Sequence, residues 1–120
     1  HIIRTGIDIV IFAFGNMLEP SMEAAEEVNA TVIDMRFIKP LDEKLIIELA
    51  SVNKKLISIE DNAISGGAGR ALNEVLQKNS IKTSLQILGV PDFVTAHGSQ
   101  NELYELYGLN AKHIIKVCKS

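Results

Sequence analysis

Asp8-Ile9-Val10-Ile11-Phe12-Ala13-Phe14-Gly15, the stretch DIVIFAFG at residues 8–15, is a nearly unbroken apolar, β-branched run closed by a glycine. A strand with one wet face would alternate apolar and polar residues. This one does not, so both of its faces must be covered, as in a central strand of a parallel sheet sandwiched between helices. Gly15 supplies the turn out of it. Pro20 then suits the first turn of a helix in which Leu18, Met22, Ala25 and Val28 recur on one side and Glu19, Glu23, Glu26 and Glu27 hold the other.

Downstream the same alternation continues. Thr31 to Phe37 reads as a second strand, and Pro40-Leu41-Asp42 opens a helix with Leu45, Ile46 and Leu49 inward. Lys55 to Ile59 is a third strand, followed by a helix whose stripe is Ala68, Ala71, Leu72, Val75 and Leu76; Ser84 to Leu88 is a fourth strand. Ser99-Gln100-Asn101-Glu102 matches a capping box and predicts a short helix with Leu103 and Leu106 inward. Gly108 suits the left-handed stop, and Asn110 can cap a last helix carrying Ala111, Ile114 and Ile115. Upstream, only Gly6-Ile7 joins Ile2–Thr5 to the opening stretch, too short for a crossover, so this segment is expected to be an antiparallel edge. The expected architecture is three-layer α/β/α: a mostly parallel five-stranded sheet with one antiparallel edge strand, residues 1–120 forming a single domain.

Composition narrows the function classes. Twelve basic and 15 acidic residues give a formal net charge of -3 with no basic cluster, which argues against nucleic acid and anionic membrane surfaces. The single cysteine, Cys118, rules out an internal disulfide and a cysteine zinc site. No run approaches the ~20 apolar residues of a membrane span, and no signal peptide is visible, so a soluble, cytoplasmic setting is expected. His1-Ile2-Ile3-Arg4-Thr5 reads as the middle of a strand rather than a natural beginning, so the chain is expected to be a piece of a longer one.

Ligands of open α/β sheets collect at the carboxyl ends of the strands, here the loops around Gly15, Phe37, Glu60 and Gly89. In Gly66-Gly67-Ala68-Gly69, backbone N–H groups at a helix start can receive an anion. Against a dinucleotide site, Leu72 stands where the third glycine of the fingerprint belongs, and the loop follows the third strand rather than the first. Glu60 and Asp61 at its mouth would repel a phosphate. Gly66, Gly67 and Gly69 are therefore read as a tight strand-to-helix turn, an anion site or a contact for another domain. His97, in the long stretch Pro91 to Ser99, is the other residue singled out. Asp34 and Arg36 share a strand face and can pair, Cys118 reads as an inert thiol and His113 as structural. No catalytic, cofactor-binding or metal-ligating residue emerges.

Three segments carry a resemblance: Asp34-Met35-Arg36-Phe37-Ile38-Lys39-Pro40-Leu41-Asp42, Glu60-Asp61-Asn62-Ala63-Ile64-Ser65-Gly66-Gly67-Ala68-Gly69, and Leu88-Gly89-Val90-Pro91-Asp92-Phe93 with His97-Gly98. Together they resemble the C-terminal domain of the 1-deoxy-D-xylulose-5-phosphate synthase family, within the transketolase superfamily. The first segment alone also fits the beta subunits of 2-oxo acid dehydrogenases. The resemblance implies a structural, dimer-supporting domain of a homodimeric transferase whose thiamine diphosphate and magnesium are held by its other domains. The family's G-D-G cofactor signature is absent here, and no catalytic residue carries over. Two alternatives stay open: the corresponding domain of another superfamily member, such as a dehydrogenase beta subunit, or a stand-alone module binding a phosphorylated metabolite at Gly66–Gly69.

Overall fold

The structure, a computed structural model, describes residues 2–35, 41–63, 67–90 and 100–120. Five strands, β1 (Ile2–Arg4), β2 (Ile9–Ala13), β3 (Thr31–Asp34), β4 (Lys55–Ala63) and β5 (Ser84–Val90), form one sheet in the order β1-β3-β2-β4-β5. Strand β2 runs parallel to β3 and β4, and β5 parallel to β4; β1 alone is antiparallel, paired with β3 at the edge. The helices are α1 (Leu18–Val28), α2 (Glu43–Val52), α3 (Ala68–Lys78), α4 (Gln100–Leu106) and α5 (Ala111–Cys118).

The apolar run of the opening strand has the two-sided burial it requires. Ile11 and Ala13 join Val32, Ile57 and Ile59 under α1 and α5, where Ala24, Ala25, Ile114 and Val117 complete one core. Val10 and Phe12 face the other way and meet Ile33, Leu56, Ile46 of α2 and Leu72 and Leu76 of α3. Both layers are thus held by apolar burial, at roughly 25 cal/mol per Å² removed from water. Four helix ends are closed by the residues that the sequence offers for it. Asp42 accepts the Leu45 N–H at 3.1 Å, Asn110 accepts the His113 N–H at 2.9 Å, and Asn29 (φ 56°) and Gly108 (φ 72°) take the left-handed conformation at their turns.

Two expectations need adjusting. Strand β4 does not stop at Ile59 but runs through Glu60 and Asp61 to Ala63, because β5 extends to Val90 and pairs with Ala63 after a register shift. On α4, Leu106 points outward, 71% exposed, because Tyr104 and Tyr107 pack against the core instead. On α1 the expected stripe holds: Ala25 is fully buried, as are the small Ser21 and Ala24, and Leu18, Met22 and Val28 pack half-buried against the same core. Helix α1 packs closely on α5, and small side chains permit that approach. The second strand is described to Asp34; Arg36, Phe37, His97, Gly66 and Ser99 lie outside the described residues.

Candidate functional site

Parallel pairing sends the carboxyl ends of β2 and β4 to the same end of the sheet, where the 3-10 turn Gly15–Met17 leaves β2. Phe14 donates its N–H to the Ile59 carbonyl at 2.9 Å, holding that turn against the last part of β4. Asp61, one strand position past buried Glu60, then becomes the centre of a polar cluster. Its Oδ2 accepts from Tyr104 Oη at 3.1 Å and from Asn16 Nδ2 at 3.2 Å. Gly15 has φ +61°, and a Cβ there would collide with the Asp61 carboxylate, so this position has two reasons to be glycine. Burial raises the Tyr104 phenol above its ordinary value; the Asp61 charge and hydrogen bond add to that, and Asn16 opposes it.

Beside this cluster a cleft of about 390 Å³ opens between the start of α1 and the α4–α5 turn, lined by Asn16, Glu19, Glu23, Tyr104, Glu105 and Asn110 among others. Its charged lining is acidic throughout, which disfavours a phosphate. The glycine turn into α3 is also accounted for by protein. The Glu60 side chain, 2% exposed, folds back so that its carboxylate oxygens accept the Ala68 N–H at 3.2 Å and the Gly69 N–H at 3.3 Å. A Cβ on Gly67 would overlap that carboxylate, and one on Gly69 would press on Ser58 Oγ and Ile87. Of the residues singled out in the sequence, Gly67 and Gly69 thus lie against Glu60 and Ser58.

Chemically the cluster is a set of hydrogen bonds around one carboxylate rather than an acid–base pair poised on a nucleophile. Among the described residues no three His, Cys, Asp or Glu side chains gather as a metal site. A diphosphate with its metal does not fit these residues either: the N–H groups of Ala68 and Gly69 are already taken, and the neighbouring charges are Asp61, Glu19 and Glu23. Asp34 is buried at the end of β3, while its sequence partner Arg36 lies outside the described residues. Cys118 is buried, which pushes its thiol up; the charge of Lys55 pulls weakly the other way. The ring of His113 lies against Gly108.

Sequence reading missed two groups. The Asn16–Asp61–Tyr104 cluster joins residues 45 and 43 positions apart, and no local spacing announces it. Glu60 had a faint signal: an acidic residue ending a strand just before a glycine-opened helix is placed to reach back to that helix.

The family profile described as transketolase, C-terminal domain, matches residues 1–114. The chain is similar to the 1-deoxy-D-xylulose-5-phosphate synthase of Psychromonas ingrahamii, 43% identical over 115 residues that make up 96% of this chain and 18% of the relative. It is 47% identical to the synthase of Vibrio campbellii over 116 residues, 97% of this chain and 19% of that one. A solved structure titled "Split gene transketolase, inactive beta4 tetramer" superposes with a TM-score of 0.89 at 30% identity, covering 99% of this chain and 40% of the other. The chain therefore spans about a fifth of the length of the curated relatives it matches.

Proposed function

The chain belongs to the transketolase C-terminal domain family, and from that premise we propose that it is the C-terminal domain of a cytoplasmic 1-deoxy-D-xylulose-5-phosphate synthase. The single observation that carries this reading is 43–47% identity to such synthases across nearly the whole chain. In the proposed enzyme, pyruvate and glyceraldehyde 3-phosphate are joined with loss of carbon dioxide to give 1-deoxyxylulose 5-phosphate. Thiamine diphosphate and magnesium reside in the other domains: the acidic cleft and the occupied α3 start disfavour a diphosphate, and among the described residues no three metal-ligating side chains gather.

This domain contributes no reacting group. Its part is to brace the other domains and to support a homodimer, with residues 1–120 folding as one unit of the longer polypeptide. The physical support is a sheet buried on both faces and, among the described residues of its carboxyl end, two carboxylates, Asp61 and Glu60, that are bonded to Tyr104, Asn16 and the α3 start. The test is an assay of the full polypeptide with pyruvate and glyceraldehyde 3-phosphate, with and without thiamine diphosphate and magnesium, beside calorimetry of residues 1–120 with the same cofactor. Cofactor-dependent product from the full chain, and no heat of binding to the isolated domain, are expected. A micromolar cofactor site on the isolated domain would overturn the division of labour.

A further inference from the structure

Strand periodicity puts Leu56, Ser58 and Glu60 on the face of β4 that looks toward α3. Along that face the chemistry changes from apolar to hydroxyl to carboxylate, ending where the first turn of α3 presents its unpaired N–H groups. The positive end of an 11-residue helix is a place where an anion is stabilised, and the glycines remove the side chains that would keep one away. Here an anion is already present: the Glu60 carboxylate, almost fully buried, with one oxygen on Ala68 N–H and the other on Gly69 N–H. Ser58 Oγ is 0% exposed, has no hydrogen-bond partner among the described residues, and lies 2.6 Å from where a Gly69 Cβ would be. A buried, unpartnered hydroxyl therefore faces the same helix turn.

We infer that the Gly67–Gly69 turn is a true anion site whose resident ligand is the chain's own Glu60 carboxylate, closed to solution phosphate and able to take a small free carboxylate only when Glu60 is removed. This goes beyond the catalytic proposal and does not depend on it. Two bonds from backbone N–H groups to a charged acceptor are of the strong, charge-assisted kind. They join β4 to the first turn of α3.

Glu60→Ala removes the equivalent of one acetate, which makes acetate the matching probe. In the full polypeptide, hydrogen exchange of the amides at the start of α3 is expected to speed up by about tenfold or more in Glu60→Ala, the scale of a lost hydrogen bond to a charged group. Adding acetate should restore slow exchange in a saturable way. Chloride at equal ionic strength, and the neutral isostere acetamide, should not. Equal effects of acetate and chloride, or of acetate and acetamide, would overturn the inference. Glu60→Gln keeps one acceptor oxygen and fills the space, so it should exchange faster than native protein and ignore acetate; native-like exchange in it would remove the role of the charge. Inorganic phosphate should leave Ala68 and Gly69 of the native protein unchanged, and protection of those amides by phosphate would show that Glu60 is displaceable.

Discussion

A single atom position decides what Gly15 can be. Its φ of +61° is left-handed backbone, which costs an L-residue roughly 1–2 kcal/mol, and a Cβ there would also meet the Asp61 carboxylate. Gly15→Ala is therefore expected to lower the stability of the domain by at least that amount, as read by chemical denaturation; a midpoint unchanged from the native protein would refute the packing described around Asp61. Tyr104 gives a prediction with a sign. Its folded-state phenol titrates above its unfolded value, so the unfolded chain gives up the proton first. The associated stability is whole below the unfolded value and is lost as pH climbs through it toward the folded one. Tyr104→Phe should cost about 1 kcal/mol at neutral pH for the lost bond to Asp61 and should flatten the alkaline fall in stability. A variant as steep as the native protein on the alkaline side would assign that fall elsewhere. Neither Gly15 nor Tyr104 could be given these roles from the sequence, because Asp61, the residue they share, is 43 or more positions from both Tyr104 and Asn16.

At the level of elements the sequence was far more legible, since the signals there are local. The apolar run at 8–14 marked the buried central strand, and Asp42, Gly108 and Asn110 marked helix boundaries through short-range cap chemistry that survives in any tertiary setting. The extension of β4 was not legible. Glu60-Asp61-Asn62-Ala63 is polar, and only its pairing with the end of β5 makes it a strand. Leu106 was misjudged for a similar reason, because two tyrosines outcompete it for the core once the α4–α5 turn is in place, while the side chain of Leu103, the other residue expected inward, lies outside what is described. A long-range contact also finishes α5: Lys55 Nζ, from the start of β4, donates to the Val117 carbonyl at 3.0 Å and to Ser120. A cation at the negative end of a helix with direct bonds to its last carbonyls contributes on the order of 0.5–1.5 kcal/mol. Lys55→Met should fray the last turn of α5, with faster amide exchange at Val117–Lys119. Unchanged exchange would leave Lys55 a bystander. Asn110→Ala, by removing the other cap of the same helix, should cost about 1 kcal/mol.

For the molecule as a whole, the sheet is covered on both faces, and among the described residues at its carboxyl end Asp61 is engaged by Tyr104 and Asn16 and Glu60 by the α3 start. The glycine turn that most resembled a ligand site in the sequence carries its own anion, which no spacing rule could have told apart from a vacant cradle. On the function proposed above, this domain braces a synthase without taking part in its chemistry. The measurement that decides it is the turnover per assembled dimer of the full polypeptide carrying Asp61→Asn, read as 1-deoxyxylulose 5-phosphate formed from pyruvate and glyceraldehyde 3-phosphate. Native turnover per dimer is expected, with any loss confined to the amount of dimer present; a fall of about 100-fold or more with the dimer intact, the scale of a missing acid–base group, would place Asp61 in the chemistry and overturn the bracing role.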